Sequence, residues 1–118
     1  MSSYRDLTVW QKSMDLVDVI YALCKQLPRE ETYCLSDQMR RSAVSIPSNI
    51  AEGQKRSSAK DFSHFLSISA GSCAELETQL FIATRQNMLT EEQIQPALQL
   101  TNEISHMLAA MIGKLRNA

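Results

Sequence analysis

Residues 7–27, LTVWQKSMDLVDVIYALCKQL, contain the clearest periodic pattern in this sequence. Apolar side chains recur every three or four positions, which is the spacing of one face of an α-helix. Two such series lie side by side: Leu7, Trp10, Met14, Val17, Tyr21 and Cys24, and Val9, Leu16, Ile20, Leu23 and Leu27. The pattern predicts a helix over 7–27, capped by Asp6 and ended by Pro28. Its apolar face is wider than one bundle core requires, so we expect the excess to bury against another subunit.

A second helix is predicted from Leu35 to about Gly53, because apolar side chains again recur at helical spacing. Pro47 interrupts its backbone hydrogen bonding and crowds the carbonyl one turn earlier, so we expect a kink near Pro47. Two short helices are the alternative, although the apolar spacing keeps its phase across the proline. Ser36 is predicted to cap the start of this helix.

Two further helices complete the pattern. The third is predicted from a cap at Ser58 to about Asn87, and the fourth begins at Thr90, which is spaced from Gln93 as in a capping box. Four helices joined by mostly short links favour an antiparallel arrangement. The sequence therefore predicts an all-α fold, with one domain over residues 1–118 built as an up-and-down four-helix bundle.

Composition narrows the range of functions. The 118 residues are 44% hydrophobic and 21% charged, as in an ordinary folded domain. The 12 basic and 13 acidic residues give a net charge of −1, which disfavours a protein dedicated to binding nucleic acid. No apolar run is long enough to span a membrane, and the N-terminus has no signal-peptide pattern. Cys24, Cys34 and Cys73 fit no zinc or redox spacing, so we expect free thiols and a cytoplasmic protein.

The histidines offer the only pattern that resembles a metal site. His64 follows Asp61 and His106 follows Glu103, each at a spacing of three. A di-iron bundle uses two Glu-x-x-His motifs and two further glutamates, and this pair does not supply them. No nucleophile turn or phosphate loop is present either. We therefore predict no catalytic residue, metal or cofactor, and keep a metalloenzyme as a minor alternative.

Polar side chains follow one side of the second and third helices, and they include Arg41, Asn49, Glu52, Glu75, Glu77 and Gln79. They could form a solvated face with weak pairs one turn apart. They could instead form a partly buried network, with Arg41 bonded to Glu52 or to a carboxylate of the third helix. Such a network would organise the bundle or its subunit contacts. The sequence leaves both interpretations open.

Basic side chains concentrate at Arg40, Arg41, Lys55, Arg56 and Lys60. Ordinary surface charge is the favoured interpretation, given the near-zero net charge. The functional alternative is a patch that contacts nucleic-acid phosphates, although no aromatic residues are interleaved to stack on bases.

Three stretches carry a family resemblance: YRDLTVWQK at 4–12, QMRRSAVSIPSNIAEG at 38–53 and GSCAELETQ at 71–79. Together they resemble the four-helix-bundle, ribosomal-protein-like proteins first noticed in intervening sequences of bacterial 23S rRNA genes. The resemblance implies a cytoplasmic bacterial protein that forms a ring-like homopentamer and lacks catalytic residues. A ribosome association has been suggested for such proteins, and distant relatives are accessory subunits of retroelement reverse transcriptases. The positions matching the family's polar pattern are Arg40, Arg41, Asn49, Glu52, Glu75 and Glu77, with Pro47 and Gly53.

Two functional hypotheses follow. The first is a non-enzymatic, homo-oligomeric interaction module, pentameric by resemblance, with another protein as a further candidate partner. The second is an RNA- or ribosome-associated accessory protein in which Arg40, Lys55, Arg56 and Lys60 repeat around a ring and bind by multivalency.

Overall fold

The described part of the chain, residues 3–117 of a computed structural model, consists of helices and their connections. The α-helices are α1 (Thr8–Cys24), α2 (Leu35–Gln54), α3 (Ala59–Arg85) and α4 (Glu91–Arg116), and two 3₁₀ turns span Tyr4–Asp6 and Arg29–Glu31. Residues 3–117 contain no strand. The predicted all-α class is confirmed.

The four helices form a bundle 45 × 20 × 19 Å in extent. Each helix packs against two others, in the circular order α1, α2, α3, α4, and the contact between α2 and α3 is the most extensive. Because the links are short, successive helices run in opposite directions. The predicted up-and-down four-helix bundle is therefore confirmed.

The two apolar series of α1 have different environments. The series from Val9 to Leu27 is buried in the bundle core, where Leu16 and Ile20 have no exposed surface. In the series from Leu7 to Cys24, Cys24 is buried, the other members lie at the edge of the core, and Met14 and Tyr21 remain exposed. The apolar face of α1 is thus wider than the core of one chain can cover.

Helix α2 runs without interruption through Pro47, so one continuous helix is correct and two short helices are not. The predicted cap at Ser36 is wrong, because the helix begins one residue earlier, at Leu35. Ser36 is buried, and its carbonyl accepts a hydrogen bond from the Cys24 thiol at 3.6 Å. The Leu35 N–H instead donates to the Glu31 carboxylate at 3.3 Å.

The remaining helix ends divide between confirmed and corrected predictions. Asp6 does not cap α1; it closes a capping box with Ser3 around the first 3₁₀ turn. The caps at Ser58 and Thr90 are confirmed, since each hydroxyl accepts from the backbone N–H three residues later, at 3.1 Å. Helix α3 ends at Arg85, and Asn87 turns the chain with a left-handed φ of 60°.

Gly53 lies at a close contact between α2 and α3. It is buried one residue before the end of α2, and its backbone is helical rather than left-handed. A Cβ at this position would lie 2.8 Å from the Phe65 Cβ and 3.2 Å from the Phe62 carbonyl oxygen. Close helix packing, not helix termination, therefore requires glycine here.

Candidate interaction surfaces

One strip of apolar side chains lies in the groove between α1 and α2. We call it the α1/α2 strip and define it as Trp10, Met14, Val17, Tyr21 and Val44. Met14, Tyr21 and Val44 are each 40–44% exposed. Trp10 and Val17 are half-buried. The strip is contiguous, which marks it as a candidate contact surface rather than scattered surface residues.

A second surface lies on α3 beside α2, on the neighbouring face of the bundle. We call it the α3 strip and define it as Ile68, Glu75, Gln79 and Ile82, whose spacing places them on one side of the helix. The two isoleucines are about two-fifths exposed. Gln79 is buried, and its Oε1 atom is the one buried side-chain oxygen or nitrogen in residues 3–117 without a hydrogen-bond partner.

Of the two interpretations left open for Arg41, the structure supports the solvated face, with a pair one turn apart, and not the buried network. The Arg41 guanidinium Nε donates to Asp37 at 3.0 Å, one turn away, and the side chain is 79% exposed. Glu52 pairs with Arg56 at 3.3 Å. Eleven residues separate Arg41 from Glu52, which is about 16 Å along a helix, so the two side chains cannot meet. Neither ion pair is buried, and each contributes little to stability.

Two other predicted polar residues take part in contacts between helices, Glu77 directly and Asn49 through Ser45 of its own helix. The Asn49 amide donates to the Ser45 carbonyl at 2.8 Å, and Ser45 shares a 2.8 Å hydrogen bond with Ser72 of α3. Glu77 accepts from the Thr101 hydroxyl at 3.0 Å, so it faces α4 rather than α2. The polar set is therefore split among a solvated row, an α2–α3 contact and an α3–α4 contact.

The predicted basic residues do not form one patch. Arg40 donates to the Thr32 carbonyl near the start of α2, at 3.2 Å. Lys55 follows the opposite end of α2, about 22 Å from Arg40 along the helix axis. The Arg56 guanidinium lies 4.8 Å from the centre of the Phe65 ring. The pair at the start of α2 is therefore separate from Lys55, Arg56 and Lys60.

Folding instead brings together basic side chains that lie far apart in the sequence. The start of α1, the α2–α3 link and the end of α4 meet at one end of the bundle, because the helices alternate in direction. We call this the basic end and define its cations as Arg5, Lys55, Arg56, Lys60, Lys114 and Arg116. Only Asp6, Glu52 and Asp61 are acidic there, whereas the rest of the chain is net acidic. Sequence reasoning missed Arg5, Lys114 and Arg116, which an antiparallel topology could have placed beside the link.

The histidines lie apart from any catalytic arrangement in residues 3–117. His64 and His106 are exposed, and the His106 Nδ1 atom lies 2.8 Å from the Asn102 carbonyl. Glu103 binds the Lys12 ammonium at 2.6 Å, and this hydrogen bond lowers the pKa of the glutamate. Within the same range, no three His, Cys, Asp or Glu side chains are placed to hold a metal ion.

The thiols of α1 and α3 are shielded. Burial raises the pKa of Cys73 to about 11 and also raises the pKa of Cys24. Cys34 is exposed. Among the described helices, none combines the length and apolar character needed to cross a membrane.

Comparisons with known proteins agree with this architecture. The family model described as 23S rRNA-intervening sequence protein matches residues 5–110. No curated protein matches the sequence. A solved structure, described as a protein with unknown function from the S23 ribosomal protein family of Bacteroides thetaiotaomicron, is similar with a TM-score of 0.82 and 31% sequence identity. The match covers 89% of this chain and 98% of that one. This chain belongs to the 23S rRNA-intervening sequence protein family.

Proposed function

We propose that the chain is a cytoplasmic, non-enzymatic interaction module that assembles with copies of itself into a homopentamer. The observation that carries this proposal is the presence of two partly apolar strips on neighbouring faces of the bundle, defined above. Each leaves large apolar side chains exposed in the isolated chain. Covering such side chains stabilises an assembly by about 25 cal/mol for each Å² of apolar surface removed from water.

The positions of the strips favour a ring. A two-fold dimer would join one surface to itself, whereas a head-to-tail contact joins the α1/α2 strip of one copy to the α3 strip of the next. The outward directions of two neighbouring faces of a four-helix bundle differ by about 90°. In a ring of five, the directions from one subunit to its two neighbours differ by about 108°. Opposite faces would give an open filament instead. An angle of about 90° closes a ring of four and about 108° a ring of five, so this geometry favours a small ring, and the family resemblance supplies five as its number.

Charged residues beside the strips complement one another. Arg41 shares a surface depression with Tyr21 and Val44, at the edge of the α1/α2 strip. Glu75 belongs to the α3 strip, is exposed, and has no ion-pair partner within residues 3–117. In a head-to-tail contact, Arg41 of one copy would face Glu75 of the next. The interhelical pair expected from the sequence would then form between chains rather than within one.

Native mass measured by light scattering tests the assembly, with five times the 13.3 kDa chain mass as the expected value. Met14→Lys and Ile82→Lys should each reduce the mass to that of one chain, because each places a charge in a buried contact. Tyr33→Lys is the matched control, since Tyr33 is 91% exposed in a connecting loop. A wild-type chain that stays monomeric at high concentration would refute the proposal.

Mixing the two variants tests the direction of the contact. Each variant keeps the surface that the other has lost, so an equimolar mixture should form a heterodimer through one intact head-to-tail contact. An interface that joins one surface to itself would give no complex on mixing. The reversal Arg41→Glu should weaken assembly, and adding Glu75→Arg should restore it.

The basic end favours a second candidate, an RNA-binding accessory protein. In a ring with parallel subunits, all the basic ends lie on one side, so weak contacts of each chain with phosphates would add. Fluorescence anisotropy of a labelled structured RNA should show binding that weakens steeply with salt. Lys55→Glu with Lys114→Glu should abolish binding and leave the native mass unchanged. Absence of binding at low salt would exclude this candidate.

A further inference from the structure

An open depression beside the α3 strip holds three features that no contact within one chain explains. It lies between Gln38 of α2 and the residues Gly71, Glu75 and Gln79 of α3. We propose that this depression receives Tyr21 of a second copy, whose hydroxyl donates a hydrogen bond to the Gln79 side chain. This inference rests on the head-to-tail assembly proposed above and names the contact at its centre.

Gln79 is the residue that points to an occupant. It is 9% exposed, and its Oε1 atom is the buried oxygen without a hydrogen-bond partner described above. A buried acceptor that lacks a donor costs free energy, and such atoms are rare in native structures. Because Gln79 also lines the depression, a second chain seated there can supply the donor. The last torsion of a glutamine side chain rotates easily, so the amide can turn its oxygen toward that donor.

Gly71 gives an independent indication at the same place. It lies in the middle of α3, where glycine is a poorer helix former than alanine. The described chain has no steric need for glycine there, because a Cβ added at Gly71 has no atom within 4 Å. Gly53 differs, since α3 itself fills the space beside it. The absence of a side chain at Gly71 lets a group from another chain approach the backbone of α3 closely.

Charge complementarity selects the surface that supplies the donor. Glu75 lies one turn before Gln79, is exposed, and has no ion-pair partner within residues 3–117. On the α1/α2 strip, Tyr21 is 44% exposed and shares a depression with two arginines and a single acidic residue. With Arg41 of that surface beside Glu75, the neighbouring Tyr21 is placed to reach Gln79. A tyrosine ring fills apolar space, and its hydroxyl donates to an amide oxygen.

The heterodimer of Met14→Lys and Ile82→Lys isolates this contact as a single interface. Its Met14→Lys chain supplies the intact depression on α3. Adding Gly71→Ala to that chain should raise the dissociation constant, measured by sedimentation, at least tenfold without lowering the melting temperature of the chain. Gly113→Ala is the matched control, since a Cβ added there also has no atom within 4 Å, and it should leave the dissociation constant unchanged. Equal dissociation constants for the two alanine variants would overturn the inference.

A double-mutant cycle in the same heterodimer tests the hydrogen bond. Tyr21→Phe in the Ile82→Lys chain should weaken binding about twofold to tenfold, the range for one hydrogen bond. When the other chain carries Gln79→Leu, the same change should have no effect, because the acceptor is already absent. An equal loss with and without Gln79→Leu would refute the pairing. So would a cycle that couples Gln79→Leu to Arg41→Ala and not to Tyr21→Phe.

These outcomes separate this contact from the proposed function. If Met14→Lys and Ile82→Lys form no heterodimer, the head-to-tail assembly is incorrect and this contact is incorrect with it. If the heterodimer forms but Gly71→Ala and the double-mutant cycle have no effect, the assembly stands and only this contact is refuted.

Discussion

Replacing Gly53 with alanine places one methyl group between α2 and α3, where the two helices are in close contact. The added carbon would lie 2.8 Å from the Phe65 Cβ, 3.0 Å from the Phe62 ring and 3.2 Å from the Phe62 carbonyl oxygen. The first and last of these atoms are fixed to the backbone, so rotation of a side chain cannot relieve the contact. The two helices must move apart.

Two opposing effects set the magnitude. Overpacking a well-packed contact costs about 1–3 kcal/mol. Alanine is a better helix former than glycine by about 1 kcal/mol, which offsets part of that cost. The difference of these effects is about 0–2 kcal/mol. Because the contact involves backbone-fixed atoms of α3, we expect the upper half of that range, a fall of about 1–2 kcal/mol in the free energy of unfolding.

Urea denaturation followed by circular dichroism, at one fixed protein concentration, measures the change. The control is Gly113→Ala in α4, where an added Cβ has no atom within 4 Å and the helix gains stability or does not change. The melting temperature of Gly53→Ala should fall by several degrees, since 1 kcal/mol corresponds to about 3–6 °C for a chain of this size. If Gly53→Ala is as stable as the unaltered protein, the close-packing explanation is incorrect.

Three further predictions concern other sites. Glu103→Gln should lower the free energy of unfolding at neutral pH and have less effect in acid. Lys12 lowers the pKa of Glu103 only in the folded state, so the charged carboxylate stabilises the fold until acid protonates it. The free energy of unfolding measured at several pH values would show this difference. Thr90→Ala should lower the free energy of unfolding by about 0.5–2 kcal/mol, the cost of a lost cap, and Thr90→Ser should retain most of it in the same assay. A thiol reagent at neutral pH should modify the exposed Cys34 rapidly. It should modify Cys73 only after unfolding, since burial raises the Cys73 pKa to about 11. Early labelling of Cys73, detected by mass spectrometry, would contradict this expectation.

The helices and their order were predictable because local physics determines them. The apolar spacing within residues 7–27 predicts an α-helix, which the structure shows over Thr8–Cys24, and its excess width marks a surface that the core of one chain does not cover. The caps at Ser58 and Thr90 were found because a hydroxyl three residues before its partner amide is a local pattern. Asp6 and Ser36 were assigned wrongly as caps for the same reason. Aspartate and serine both suit an N-cap. Asp6 instead forms a capping box with Ser3, and the Leu35 N–H at the start of α2 donates to Glu31.

The candidate surfaces depended on side-chain direction and on which ends meet. The sequence left open whether Arg41 reaches a distant carboxylate or pairs one turn away, and the structure pairs it with Asp37, one turn away. Lys114 and Arg116 lie more than 50 residues from Lys60 in the sequence, and only the antiparallel packing of α3 and α4 brings them to the same end. Spacing along one helix predicts neighbours one turn away and gives no information about charges on other helices.

The sequence by itself therefore determined four amphipathic helices, their up-and-down order and a surplus of apolar surface, because these depend on contacts within a few residues. Only the tertiary structure decided that Gly53 is a contact point, that the Gln79 Oε1 atom is buried without a partner, and that the apolar surplus lies on neighbouring faces. These features depend on distances between helices, which are set by the packing of the whole core and not by any segment alone.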